Sequence, residues 1–147
     1  MPVPEADAHV VDAPAGVGAH VTVLAWFLDP TAVDESAIAD VLAPFAAFDF
    51  RLDRVERFED GTTWLHPEPS TPFADLTNAV WERWPECPPY GGVYDAVIPH
   101  LTIATAPVDV DAPLPIHCRA AEVQLLEEDD ASVFRVRRRF ALGQGVA

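Results

Sequence analysis

Polar and apolar positions along this chain follow two different periods, and the switches between them mark out its elements. Side chains that alternate every second residue belong to a strand, and a 3.6-residue spacing belongs to a helix. The apolar run 20–28 reads as a strand that Asp29-Pro30 ends. In 34–47, Ile38, Val41, Leu42 and Phe45 form one helical stripe, with Thr31 or Asp34 as N-cap and Pro44 as a kink or stop. The segment 48–58 alternates imperfectly as a strand. Glu59-Asp60-Gly61 makes a hairpin turn, and 62–66 is the return strand, stopped by Pro67 and Pro69. A second helix fills 70–84, with Ser70 or Thr71 as cap, Pro72 in the first turn and Phe73, Leu76, Val80 and Trp84 on its apolar stripe.

After a Pro- and Gly-rich loop, 99–105 reads as a strand, 106–115 is too broken for a helix, and 116–127 and 132–142 form two strands around an acidic turn. Residues 1–19 look like a short strand remnant and a loop. Hairpins mean antiparallel pairing, so the order strand, helix, hairpin, helix, strand, hairpin predicts an α+β fold rather than a doubly wound sheet.

The 147 residues suit a single domain, 1–147, with a real core. No apolar run approaches the ~20 residues of a membrane span. The first residues lack the basic and apolar regions of a secretory signal. Cys87 and Cys118 have no metal-ligand spacing and read as free thiols, so the expected location is the cytoplasm.

Charge narrows the partners. The formal net charge is −15 and every basic residue is arginine. A chain that grips long RNA or DNA carries a basic track, because phosphate neutralisation dominates its affinity; this chain repels a polyanion. No arginine precedes Arg51, and Arg135, Arg137, Arg138 and Arg139 cluster near the end.

The chemistry resides in a doubled pattern. His20-Val21-Thr22-Val23 and His100-Leu101-Thr102-Ile103 both read His-x-Thr-x, 80 residues apart, each inside a predicted strand. In a strand the histidine and threonine of each copy share a face, with the apolar x residues on the other. Two readings stand on pattern alone: a paired acid–base site, or two half-buried strand histidines satisfied by backbone or hydroxyl partners. The other histidines read as bystanders. His66 is a strand-end residue, His9 lies in a loop, and His117-Cys118 lacks the further partners of a metal site. Gly91-Gly92 has no following Gly-Lys-Ser/Thr and is a turn rather than a phosphate loop.

The ordered pair of motifs, with Trp26-Phe27 after the first and Trp64-Leu65, Tyr90-Gly91-Gly92 and Val97-Ile98-Pro99 before the second, resembles the two-histidine (2H) phosphoesterase superfamily, the group of the 2′,5′ RNA ligase-like proteins. The resemblance implies a bilobal, pseudo-twofold fold of two antiparallel sheets with helices outside and a central cleft lined by the two His-x-Thr strands. It also implies a metal-independent, cofactor-free hydrolase acting on a small cyclic phosphate or nucleotide, such as a 2′,3′-cyclic nucleotide or an RNA end. His20 and His100 would carry the proton transfers, and Thr22 and Thr102 would hold the phosphate. The alternative is a non-catalytic member that binds a nucleotide or a protein.

Substrate contacts are expected from Trp26, Tyr90 and Tyr94, whose rings either stack on a base or pack in the core. They are also expected from Arg135, Arg137 and Arg139, which at i, i+2, i+4 share one strand face and either meet phosphate or balance nearby acids. The chain departs from the family pattern in its thin first strand, in the missing basic residue before His20, in Ala104-Thr105 where a basic residue commonly follows the second motif, and in the missing helix between Ala106 and Pro115.

Overall fold

A computed structural model, described here for residues 1–92 and 96–143, has the α+β architecture with two antiparallel sheets. Strands β1 (Phe48–Arg57), β2 (Thr63–Glu68), β3 (Leu101–Ala104) and β4 (Ile116–Ala120) form one sheet in the order β3-β2-β1-β4. Strands β5 (Glu122–Glu128) and β6 (Phe134–Ala141) form the other. The α-helices are α1 (Glu35–Leu42) and α2 (Thr71–Arg83), and short 3-10 turns cover Pro4–His9, Pro30–Ala32 and Pro89–Gly92. Among the described residues, no helix is long and apolar enough to cross a membrane.

Local chemistry sets most boundaries. The Asp34 carboxylate accepts from the backbone N–H groups of Ser36 and Ala37 and starts α1. Helix α1 ends at Leu42 rather than 47, because Pro44 has no N–H with which to continue it. Strand β2 runs through Pro67 to Glu68. The proline is tolerated there because the β1–β2 register shifts between Leu52 and Arg54, next to its own pairing with Leu52.

Two strand expectations are corrected. The run 116–127 breaks at Ala121 into β4 and β5, which belong to different sheets. The run 20–28 is not a strand: only His20 and Val21 pair, through single bridges to Pro2 and Leu101. Two features end the pairing. The Thr77 hydroxyl of α2 donates to the Val23 carbonyl at 2.6 Å, and Trp26 takes a left-handed φ of 58° that no strand can carry. The strand remnant at the N-terminus survives as the Pro2–His20 bridge, flanked by backbone bonds from Val3 to Ala19 and from Val21 to Met1.

The core lies on one face of the four-stranded sheet. Leu52, Leu65, Leu101 and Ile103 are fully buried there with Val21, and Phe73 and Leu76 of α2 join the same cluster. The Phe73 ring meets Phe48 and Phe50 edge to face, with centroids 5.0 and 4.9 Å away. Each such buried side chain contributes roughly 1.5–3 kcal/mol. This packing fixes which side chains turn to the opposite face, where the polar chemistry lies.

Candidate active site

The two motifs meet at their centres. An antiparallel bridge pairs Val21 with Leu101, the first x residue of each copy, and both are buried. In antiparallel register this sets His20 abreast of Thr102 and Thr22 abreast of His100. All four are only half-buried, outside the core, and His20 shares one cleft with Thr22 and another with Thr102. The two histidines become diagonal neighbours across the pair, a relation that spaces Cβ atoms by roughly 7–8 Å. A local pseudo-twofold thus relates the copies, and charge on His20 is felt at His100, lowering its affinity for a proton.

The rings are held alike. His20 Nδ1 lies 2.8 Å from the Gly18 carbonyl, and His100 Nδ1 lies 2.7 Å from the Ile98 carbonyl. A carbonyl only accepts, so each Nδ1 carries the proton and each Nε2 is left to take or give one. Burial, as the largest effect, pushes both imidazoles below the usual histidine range, and the two carbonyl bonds partly offset it. Each ring is therefore set to be neutral near pH 7.

Aromatic rings enclose His100. Phe58 meets it edge to face at 5.0 Å, Trp64 lies 5.9 Å away, and Tyr90 is tilted at the same distance. Trp64 is the β2 partner of Thr102 and stacks on Phe58. Its indole Nε1 is buried without a hydrogen-bond partner among the described residues. His20 opens onto two clefts. A larger one of about 1050 Å3 is shared with Thr22, Trp26, Arg137 and Arg139, and a smaller one of about 520 Å3 is shared with Thr102, Asp12 and Thr105.

The remaining predicted residues separate. Trp26 is exposed at the larger cleft, and its ring lies against Gly91, where an added Cβ would stand 3.3 Å from two indole carbons. Tyr90 is half-buried, with its hydroxyl bonded to the Ile98 backbone. Tyr94 lies outside the described residues. The three arginines do not share a face. The β5–β6 register shifts so that Leu125 pairs with Arg138 but Leu126 with Val136, and this bulge at Arg137 puts Arg135 and Arg139 on opposite sides. Each arginine has a local partner: Arg135 has Asp129, Arg137 has Glu35 and the Pro30 carbonyl, and Arg139 has Glu122.

The sequence assigns no site role to Phe58, Asp7 or Trp64, the last named only within the family resemblance. Alternation around Trp64 and the hairpin after Phe58 are visible in the sequence, but the pairing of Trp64 with Thr102 of β3 is not. Asp7 accepts from the Ala19 N–H at 2.8 Å and braces the Gly18-Ala19 turn before His20. His66, expected at a strand end, lies within β2 and its Nδ1 bonds Asp53 at 2.8 Å. Asp53, His66 and Glu68 bring potential metal-ligand atoms within 4.8 Å of one another. The His66–Asp53 bond and an Arg54 guanidinium 3.6 Å from the same carboxylate already engage that group. Both cysteines are free and buried, and burial pushes the Cys118 thiol up to about 12, far from nucleophilic at neutral pH.

Known proteins share this layout. The family model of the 2′-5′ RNA ligase superfamily matches residues 5–142. No curated protein matches the sequence. Among solved structures, Escherichia coli LigT complexed with 3′-AMP superposes with a TM-score of 0.62 at 19% identity, over 95% of this chain and 84% of that one. A phosphoesterase matches with a TM-score of 0.63 at 20% identity, over 98% and 85%. The Thermus thermophilus protein TT0787 matches with a TM-score of 0.61 at 19% identity, over 97% and 90%. At these identities the structures establish a common fold.

Proposed function

The chain belongs to the 2′-5′ RNA ligase superfamily, and on that premise we propose that it hydrolyses a small 2′,3′-cyclic phosphate, on a nucleotide or an RNA end, by paired-histidine acid–base catalysis. The observation that carries this reading is the Val21–Leu101 bridge, which joins the two motifs at their central residues and supports a shared site for their histidines and threonines. The phosphorus sits between the two Nε2 atoms. One histidine takes a proton from water as its oxygen bonds to phosphorus, and the other gives a proton to the ribose oxygen as that P–O bond breaks. Attack and departure lie on opposite sides of the phosphorus, which the diagonal placement supplies. The Thr22 and Thr102 hydroxyls donate to the non-bridging oxygens, where negative charge grows. The product is a ribose phosphate monoester, the class of compound that 3′-AMP represents in the LigT complex.

Trp26, exposed at the cleft mouth, offers a stacking face for the base. One observation favours a second reading, a non-catalytic nucleotide binder: Arg119, Arg137 and Arg139, the arginines of the larger cleft, are engaged by carboxylates. Turnover of 2′,3′-cyclic nucleotides by the wild type and by His20→Ala and His100→Ala decides between them. Loss of about 10²–10⁴-fold in kcat in each variant is expected. Equal turnover in all three proteins, or none in the wild type despite nucleotide binding, overturns the enzymatic reading.

A further inference from the structure

We propose that Tyr90 is a positioning residue for His100, acting through the Ile98 backbone. The Tyr90 hydroxyl donates to the Ile98 carbonyl at 2.8 Å and accepts from the Ile98 N–H at 3.3 Å. That carbonyl is the one on which His100 Nδ1 rests at 2.7 Å. Tyrosine hydroxyl, carbonyl and imidazole thus form a three-member chain ending at the ring.

Position makes the contact matter. Ile98 precedes β3, so no sheet ladder fixes its peptide, and its side chain is 39% exposed. Pro99 adds a stiff φ between the carbonyl and His100 but brings no N–H. The tyrosine supplies what a ladder would otherwise provide. It does so from a constrained backbone: Tyr90 has a φ of 55° and Gly91 a φ of 63°, a turn that a bulky residue seldom adopts. Trp26 stands against Gly91 on the far side of that turn.

The first motif is braced differently. Its Gly18 carbonyl holds His20 Nδ1, while Asp7 grips the neighbouring Ala19 N–H and Pro2 bridges His20 itself. Tyr90 therefore breaks the pseudo-twofold. It fixes the direction of the carbonyl on which His100 Nδ1 rests, a brace with no counterpart at Gly18 among the described residues. Among the described residues, the groups against His100 include Phe58, Trp64, Tyr90 and His20, and of these Tyr90 and His20 titrate. Burial keeps the phenol above its ordinary range, so it remains a donor at neutral pH.

The kinetic arm of the test rests on the proposed hydrolysis, and the spectroscopic arm does not. Imidazole nitrogens in the full-length free protein are followed by NMR in the wild type and in Tyr90→Phe, with His20 as an internal control of folding. In the wild type His100 is expected as a single Nδ1–H tautomer at high pH. In Tyr90→Phe it is expected to mix tautomers and titrate at a lower pH, because the carbonyl bond that raises its proton affinity is loosened, while His20 is unmoved. Tyr90→Leu, which lacks the ring as well, is expected to loosen His100 at least as much. With cyclic nucleotide as substrate, Tyr90→Phe is expected to lower kcat fivefold or more at a nearly unchanged KM. An unchanged His100 tautomer and titration in both variants overturns the proposal. So does a rise in KM alone, which would make Tyr90 a substrate contact.

Discussion

At the residue scale, the site depends on two imidazoles whose proton affinities are lowered by burial and restored in part by one carbonyl each. A general acid and a general base work together only while one ring is protonated and the other neutral. An unperturbed histidine titrates near 6.5, and both rings are shifted downward, so that window moves down with them. The kcat/KM profile for a cyclic nucleotide is expected to be bell-shaped, with its maximum on the acidic side of neutrality. A maximum on the alkaline side would contradict the shifts. The four motif residues were legible because alternation alone gives His and Thr of each copy a common face. The tautomer was not, since it depends on carbonyls two residues upstream whose direction a sequence does not display. The shared face expected of Arg135, Arg137 and Arg139 fails for a related reason: one bulged residue inverts every face assignment beyond it.

Elements tell a similar story. Helix α2 and the β1–β2 hairpin were readable from their periods, caps and turn residues. The first motif segment was not, because its hydrophobic run resembles a strand while a tertiary contact from α2 sets its course. The Thr77 hydroxyl reaches a carbonyl 54 residues away and is itself buried. Thr77→Val removes that donor and leaves the Val23 carbonyl without it, at an expected cost of about 1 kcal/mol. Chemical denaturation measures the cost directly, and because the bond anchors the stretch just after Thr22, cyclic-nucleotide turnover is expected to fall as well. A variant as stable and as active as the wild type would show that the segment is held elsewhere. The split of 116–127 at Ala121 was hidden for a further reason: an apolar run records burial but not which sheet provides it.

For the whole molecule, charge is the dominant fact. A formal −15 on 147 residues leaves the folded chain repelling itself. Arg54, Arg119, Arg135, Arg137, Arg138 and Arg139 are already in ion pairs, so most of the unmatched charge is carboxylate. Screening relieves such repulsion over about 10 Å at 0.1 M salt. The melting temperature is therefore expected to rise from low to moderate sodium chloride, and a flat or falling trend in calorimetry would refute the argument. Composition made this legible from the start, whereas the two-motif contact needed the folded pairing of Val21 with Leu101. One feature of the cleft mouth has a practical side. Of the four tryptophans, Trp64 and Trp84 are buried and Trp81 is partly covered, but Trp26 is 75% exposed. An indole in water emits at longer wavelength than one in a core, and a small neutral quencher reaches it first. The chain thus carries its own optical label at the larger of the two clefts beside His20, and a molecule settling there dims or shields that lamp while the buried Trp64 and Trp84 keep shining.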